Sequence, residues 1–199
     1  MASGKANGYP DSKLAGIAMS GETPRLLLHC CCAPCASYVL ECLSPFFEIA
    51  ILYYNPNILP GDEYYKRKAE LQKLLSRVVY QNSVLMLECG YDTEAFEATA
   101  VPFLDEPEGG LRCRECFKLR LGETARRAKE GGFDYFATTL SVSPHKDAAL
   151  LNMIGDALAR EHGVGYLQSD FKKRDGYKRS VELSKKYGLY RQSYCGCKA

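Results

Sequence analysis

Residues 25–57, RLLLHCCCAPCASYVLECLSPFFEIAILYYNPN, decide the fold. A short apolar run from Arg25 to His29 is followed by a helical pattern from Pro34 to Leu43. A second apolar run then extends from Phe46 to Tyr54 and ends at Asn55-Pro56-Asn57. Short apolar runs bounded by turn residues are typical of buried strands. The stretch therefore predicts a strand, a helix and a second strand, which is the repeating unit of a parallel α/β sheet.

The rest of the chain continues this alternation. Further strands are predicted at Ser83 to Glu88, Phe133 to Thr139 and Tyr166-Leu167. Further helices are predicted at Thr93 to Ala100, Glu115 to Lys129 and Asp175 to Tyr187. Two more helices are predicted to follow a cap, one at Asp62 and one at Ser143 with Pro144 in the first helical position. This order predicts a parallel sheet flanked by helices. Because binding sites in such sheets form at the carboxyl ends of strands, we expect the loops after the first, second and fourth strands to converge.

Length and composition indicate a single α/β domain over residues 25–199. The chain has 199 residues, of which 46% are hydrophobic and 25% are charged, which is the composition of an ordinary globular domain. Residues 1–24 are rich in glycine and proline and poor in large apolar groups, so we expect a disordered tail there. No stretch reaches the ~18 apolar residues of a membrane helix, and no secretory signal is recognisable. We therefore expect a monomer in the cytoplasm, with no membrane partner.

Ten cysteines are the unusual feature of the composition. Eight of them fall in three groups: the run from His29 to Cys35, the pair Cys113-x-x-Cys116, and Cys195-Gly-Cys197 at the end of the chain. The isolated Cys42 and Cys89 are typical of buried structural thiols. Since disulfides do not persist in a reducing compartment, three separated thiol groups indicate metal ligation.

Thiolates favour zinc or an iron–sulfur cluster. A structural zinc takes four ligands, so seven or eight thiols are too many for one zinc, and the chain has only three histidines. A cubane cluster takes four thiolates, or three with one iron left open. Adjacent side chains in extended backbone point in opposite directions, so we expect Cys31 and Cys32 to serve two different metal atoms. On spacing alone, a cluster with a second metal and a zinc site with spare buried thiols are equally favoured.

Charge is segregated along the chain despite a net charge of only +2. Residues 172–191 are strongly basic with interleaved tyrosines, whereas residues 87–110 carry seven acidic groups and no Lys or Arg. A basic, aromatic-rich segment that leads into Cys195 suits a nucleic-acid backbone brought to a metal site. The alternative is a solvated helix face. The hydroxyl-rich loop 138–147 could bind an anion at a helix N-terminus, or its serine could simply cap the helix.

Five segments together resemble the QueH-type epoxyqueuosine reductases. They are LLLHCCCAPC (26–35), YYNPNILP with EYYKRK (53–68), RCRECF with LRL (112–121), TTLSVSPHKD with LN and IG (138–155), and DFKKRDGYKRSVELSKKYGLYRQSYCGC (170–197). The resemblance covers the chain from about Leu26 to Cys197. The C-terminal segment is its most specific part.

The resemblance implies a HUP-like parallel α/β fold whose C-terminal helical and coil extension carries cysteine ligands. It implies a [4Fe–4S] cluster beside a mononuclear iron, and reduction of epoxyqueuosine to queuosine at the wobble position of tRNA with electrons from an external donor. The chain lacks the SGGxDS phosphate loop of ATP-using relatives, so ATP use is not expected. Two other functions stay open: a zinc-stabilised RNA-binding module, and cluster-dependent thiolation of tRNA.

The resemblance also implies roles for individual residues. The expected cofactor ligands are Cys31, Cys32, Cys113, Cys116, Cys195 and Cys197, and Cys35 joins them in the wider set of metal ligands; their division between the two metals is left open. Cys30 occupies a variable position of the family motif and is excluded from the set. The candidate proton donors are His145, Asp147 and Tyr54. The cations expected to contact tRNA phosphates are Arg112, Arg114, Lys172, Lys173, Arg174, Lys178, Arg179 and Arg191.

Overall fold

The computed structural model describes residues 11–197, apart from the side chains of residues 11–13 and 15. Within this range one parallel sheet has the strand order β3-β2-β1-β4-β5. Its strands are β1 (Arg25–His29), β2 (Glu48–Leu52), β3 (Val84–Leu87), β4 (Tyr135–Thr138) and β5 (Gly165–Tyr166). The helices are α1 (Asp11–Ser20), α2 (Ala33–Leu43), α3 (Gly61–Arg77), α4 (Thr93–Ala100), α5 (Leu111–Glu130), α6 (Ala148–His162) and α7 (Gly176–Tyr187). The predicted α/β fold with a helix-flanked parallel sheet is confirmed.

The central strand β1 explains how the two faces of the sheet are covered. Successive side chains of a strand point to opposite faces. Leu26 and Leu28 therefore enter the core on the face covered by α2, α3 and α7, whereas Leu27 packs with Ala125 and Ala128 of α5 on the other face. Because both faces are buried, β1 is a continuous apolar run without alternating polar residues, as expected of a parallel sheet.

Helix α1 lies in the segment that the sequence predicts to be disordered. Leu14 is only 3% exposed and belongs to the core under α2, with Ile17 packed beside it. The two residues are three positions apart and so lie on one face of a helix, which is enough to dock this segment. The remaining part of the predicted tail, residues 1–10, lies outside the described residues. The single domain over residues 25–199 stays a prediction.

Three helices begin differently from the prediction. The predicted cap of α3 at Asp62 is wrong: the helix starts at Gly61, and its cap is Pro60. Helix α5 starts at Leu111 instead of Glu115, so that Cys113 and Cys116 lie within its first two turns. The predicted cap of α6 at Ser143 is wrong: the helix starts at Ala148, and its cap is Asp147. Ser143-Pro144 instead belongs to the preceding turn, where the Ser143 hydroxyl accepts a hydrogen bond from the backbone N–H of His145 at 3.3 Å.

No helix within residues 11–197 combines the length and the apolar character needed to cross a bilayer.

Two glycines inside helices provide a test of the packing. A Cβ built on Gly155 of α6 would lie 2.3 Å from the ring of Tyr166, which is buried against Phe136. A Cβ on Gly122 of α5 would meet only Leu158 at 3.8 Å. We expect G122A to stabilise the protein by about 0.5–1 kcal/mol, because alanine favours helix. We expect G155A to destabilise it by about 1–3 kcal/mol, because the core cannot accept the methyl group. Chemical denaturation measures both, and a G155A protein as stable as G122A would contradict this packing.

Candidate metal centre

The loops after β1, β2 and β4 meet at the carboxyl edge of the sheet. The backbone N–H of Cys31 donates to the Thr139 hydroxyl at 3.3 Å, which joins the first loop to the third. The amide of Asn55 donates to the carbonyl of Cys30 at 2.8 Å, which joins the second loop to the first. Together they border a cavity of about 330 Å³. The predicted convergence of these loops is confirmed.

Three thiols of the first loop form a compact group, here called the triad (Cys31, Cys32 and Cys35). Their sulfur atoms all lie within 4.8 Å of one another. Strand β1 ends at His29 and α2 begins at Ala33, so Cys32 is the extended residue before the helix and Cys35 lies on the first turn. The sulfurs of Cys31 and Cys32 are 3.8 Å apart. The expectation that these neighbours diverge is therefore wrong, because the chain bends sharply between strand and helix.

One sulfur of the triad is favoured as a thiolate. Hydrogen bonding with the thiols of Cys32 and Cys35 holds the pKa of Cys31 well below its ordinary value. The Thr139 hydroxyl, 3.5 Å from the same sulfur, contributes in the same direction. Since the thiolate is the form of cysteine that binds a metal, this arrangement prepares the triad for ligation.

The four thiols of the second and third motifs line a second, small cavity of about 10 Å³. We call them the quartet (Cys113, Cys116, Cys195 and Cys197). Cys113 and Cys116 come from the first two turns of α5, and the other two come from the segment that follows α7. Phe96 of α4 packs against Cys116 and Cys197 and covers this cavity with an apolar ring.

Arg67 of α3 holds the C-terminal segment in place. Its guanidinium donates to the carbonyl of Cys195 at 2.9 Å and pairs with Glu63 at 2.7 Å. The carbonyl of Gly196 accepts a hydrogen bond from Leu59 at 2.8 Å. Gly196 has φ +108°, and a Cβ there would lie 3.2 Å from Ile58. Only glycine allows this backbone conformation at such a close approach.

Positive charge surrounds the sulfur of Cys195. The ammonium of Lys146 donates a hydrogen bond to this sulfur at 3.5 Å. The pKa of Cys195 lies well below its ordinary value because the Cys197 thiol donates to it, with further contributions from the charges of Lys146 and Arg120. Cys195 also borders the larger cavity, so the quartet and the substrate-sized cavity share a wall.

The donor atoms fit soft metals. Both groups offer sulfur, and no histidine nitrogen or carboxylate oxygen of the described residues joins the triad as a metal-binding group. All-sulfur sites favour zinc or iron–sulfur clusters over magnesium, calcium or manganese. The quartet supplies the four thiolates of a closed site, and the triad supplies three and would leave a position open.

The other three cysteines lie apart from these groups. Cys30 is buried in the core under α2, and burial raises the pKa of its thiol. Cys42 lies on α2 and is half-buried. The thiol of Cys89 donates to the carbonyl of Tyr53 at 3.1 Å. All three have surroundings that suit structural thiols.

The three candidate proton donors lie in different surroundings. His145 is exposed and lines the larger cavity. The Asp147 carboxylate caps α6, because it accepts hydrogen bonds from the N–H groups of Ala149 at 2.8 Å and Leu150 at 3.1 Å. Tyr54 is 8% exposed in the core on the α5 face of the sheet, and burial raises its pKa to about 12. The structure brings only His145 of the three to this cavity.

His29, at the end of β1, is fully buried and neutral. Its Nε2–H donates to the carbonyl of Tyr54 at 3.1 Å, and its Nδ1 accepts from the Thr138 hydroxyl at 2.9 Å. Burial lowers its pKa to about 4, and the nearby charge of Arg120 acts in the same direction. Because both ring nitrogens are engaged, His29 fixes the strand ends beside the triad.

The eight cations predicted to contact tRNA differ in exposure. Arg114, Lys173, Arg174 and Lys178 are exposed; Lys172, Arg179 and Arg191 are half-buried; and Arg112 is buried. Arg179 is held by Glu41 at 2.6 Å and by Glu182 at 3.2 Å. Arg112 is 5% exposed, donates to the carbonyl of Leu104 and lines the cavity of the quartet instead of the surface.

Sequence reasoning missed three residues that the structure places at this site: Arg67, Arg120 and Lys146. Arg120 could have been found, because it lies one helical turn after Cys116 and so shares its face of α5. Lys146 lies between the two polar candidates of its loop, His145 and Asp147. Nothing in the local sequence indicates that Arg67 reaches the C-terminal segment, 128 residues away along the chain.

Comparison with known proteins gives consistent matches. A family model described as epoxyqueuosine reductase QueH matches residues 26–199. The chain is 45% identical over 176 residues to the epoxyqueuosine reductase QueH of Streptococcus pyogenes serotype M1, which covers 87% of this chain and 69% of that protein. Its counterpart in Staphylococcus epidermidis is 43% identical over 181 residues, covering 89% and 76%. The counterpart in Thermotoga maritima is 35% identical over 178 residues, covering 86% and 88%.

The capping contacts of Asp147 give a prediction about stability. Asparagine caps a helix as well as aspartate, whereas alanine cannot accept the two N–H groups. We expect D147A to lose about 1 kcal/mol of unfolding free energy and D147N to stay close to the wild type. Denaturation curves of the three proteins, prepared identically, provide the measurement. Equal stability of D147A and the wild type would show that this carboxylate does not hold the helix.

Proposed function

Because the chain belongs to the epoxyqueuosine reductase QueH family, a family of oxidoreductases, we propose that it reduces epoxyqueuosine to queuosine at the wobble position of tRNA. The epoxide loses its oxygen as water and becomes an alkene. The reaction consumes two electrons and two protons. An external donor supplies the electrons, and the cytoplasmic localisation expected from the sequence suits a tRNA substrate.

One observation carries this proposal: the seven thiols of the family motifs line two neighbouring cavities at the edge of the sheet, and Cys195 borders both. Three segments of the chain bring them there, and none of the seven is paired in a disulfide. A protein that binds RNA with a structural zinc needs only four ligands. Two thiol groups next to a substrate-sized cavity favour redox chemistry.

We assign the two metal sites from the shapes of the two thiol groups. The quartet, which is closed and covered by Phe96, would hold the [4Fe–4S] cluster. The triad, which borders the larger cavity, would hold the mononuclear iron. When bound, the cluster supplies electrons one at a time, and the second metal supplies an open Lewis-acid position for oxygen.

The larger cavity has features that suit a nucleobase. Its volume of about 330 Å³ lies at the lower end of the range for small-ligand sites. Asn57 and Gln192 line it, and their side-chain oxygens are buried without a hydrogen-bond partner among the described residues. Tyr177 and Tyr194 add aromatic faces to the wall, on which a base can stack.

His145 is our choice for the proton donor. It lines the cavity, whereas Asp147 is committed to the cap of α6 and Tyr54 lies in the core. A position at the rim also leaves it open to solvent, from which it can be protonated again.

The exposed cations near the C-terminal segment would contact the tRNA backbone. Arg174 and Lys178 flank Tyr177, which lines the cavity, and Arg114 is exposed on α5 directly after Cys113. Arg191 also lines the cavity. Cations that contact phosphates release counterions, so binding would weaken as salt concentration rises.

The activity is tested with anaerobically purified, reconstituted protein and tRNA that carries epoxyqueuosine, with dithionite as the electron source. We expect the wild type and the control C42S to convert epoxyqueuosine to queuosine and C32S to be inactive, because only Cys32 belongs to the metal site. Mass spectrometry of the digested nucleosides detects the loss of one oxygen atom.

Failure of iron-loaded wild-type protein to remove the oxygen would contradict the proposal. Transfer of sulfur to tRNA in the presence of ATP would favour thiolation instead. Purified protein with one zinc and no sulfide, even after anaerobic reconstitution, would favour the RNA-binding module.

The assignment of the two metals is tested by iron and sulfide analysis. We expect C116S to lose about four irons together with the sulfide, because it removes a cluster ligand. We expect C35S to lose about one iron and to keep its sulfide. C89S is the matched control outside both groups and keeps the full content. Loss of sulfide from C35S with retention in C116S would reverse the assignment.

A further inference from the structure

Two arginines on the cysteine-bearing helix are buried. Arg112 is 5% exposed and Arg120 is 2% exposed. Arg112 directly precedes Cys113 in α5, and Arg120 follows Cys116 by one turn. Both side chains line the small cavity together with the quartet, and Arg120 also reaches the wall of the larger cavity. The two cations therefore share one cavity with the four thiols.

Neither arginine has a carboxylate partner within 4.0 Å anywhere in residues 11–197. The Nη2 of Arg120, and both Nε and Nη2 of Arg112, are buried and find no hydrogen-bond acceptor in the same range. An arginine cannot lose its proton in a protein. A buried charge without a partner is strongly unfavourable, so the fold must supply negative charge nearby.

The neutral contacts of Arg120 do not supply that charge. Its guanidinium donates to the carbonyl of Cys116 at 3.3 Å and lies near the side-chain oxygen of Asn55 at 3.5 Å. It also packs 5.7 Å from the ring centroid of Phe117. These contacts orient the side chain and leave one nitrogen unsatisfied. The groups in the same cavity that can carry negative charge are the four cysteine sulfurs.

Contact with tRNA phosphates does not explain these arginines either. Side chains buried to this degree cannot reach a polyanion in solution. The exposed Arg126 of the same helix offers a contrast, since it pairs with Glu123 at 2.8 Å and with Glu130 at 2.6 Å. Arg126 has carboxylate partners, whereas the two buried arginines line the cavity of the four thiols.

We propose that Arg112 and Arg120 are the buried counter-cations of the metal–thiolate group held by the quartet. They act as positioning residues that do not touch the substrate: they stabilise the negative charge of the bound group and raise its reduction potential, because nearby positive charge favours the form that has gained an electron. This inference rests on the proposed function, since it needs a redox group at the quartet.

The test compares R120M, R120K and R126M in the full-length protein after anaerobic reconstitution. Methionine keeps an unbranched apolar stem and removes the charge, lysine keeps the charge, and Arg126 provides the same substitution at an exposed site of the same helix. A redox titration followed by electron paramagnetic resonance gives the reduction potential. We expect R120M to shift to lower potential, and R120K and R126M to stay close to the wild type.

Iron and sulfide content and thermal unfolding with and without the metals provide a second readout. We expect the gain in Tm on metal loading to be smaller in R120M than in the wild type. If Arg120 had a merely structural role, R120M would lower the Tm of the metal-loaded and the metal-free protein equally. If R120M fails to retain the metals, retention in R120K supports the role of charge, and loss in both variants overturns it.

An unchanged potential in a fully loaded R120M protein would also overturn the inference. A wild-type protein that takes up no iron and sulfide would instead contradict the proposed function. The counter-cation role then still predicts weaker Zn²⁺ binding in R120M than in R126M. Equal zinc affinity in these two variants would contradict it.

Discussion

Parallel strands end at the same edge of a sheet, and the whole candidate site depends on this constraint. The loops that follow β1, β2 and β4 must lie side by side because these three strands are adjacent and parallel in the sheet. The triad, Asn55 and the loop with His145 and Lys146 are thereby brought together from distant parts of the chain. The strands themselves contribute no chemistry. The packing of their buried leucines holds in place the sheet edge at which the site residues lie.

The C-terminal segment completes the site by polar contacts instead of by the sheet. It follows α7 without further regular structure and is held by Arg67, whose charge is balanced by Glu63. This anchor places Cys195 and Cys197 beside Cys113 and Cys116 of α5. The quartet therefore joins two segments that the sheet alone would not bring together. Its charge balance depends on the buried cations of α5, so the stability of this region is coupled to what the thiols bind.

Local patterns in the sequence were sufficient for much of the fold. The bounds of β1 and of α4 were predicted correctly, because a buried apolar run and a short capped helix are set by nearby residues. The start of α6 was predicted wrongly, because Ser143 and Asp147 compete for the cap and only the structure shows that the carboxylate accepts two N–H groups. Both kinds of residue cap helices well.

The site itself could be predicted less completely. Sequence spacing identified the three thiol motifs, but not their division into a triad and a quartet, which depends on where two distant segments meet. The burial of Arg112 could not be foreseen, because a basic residue in a basic segment suggests a solvated surface. The charge of a side chain does not reveal which face of a helix it occupies until the partners of that helix are known.

The central claim is that the triad and the quartet each hold a metal. Crystals of anaerobically purified protein, measured at wavelengths on both sides of the iron absorption edge, test this most directly. We expect anomalous density for iron at both thiol groups, in the two cavities that Arg120 borders. Iron density at one group only, or density of another metal at the quartet with none at the triad, would contradict it.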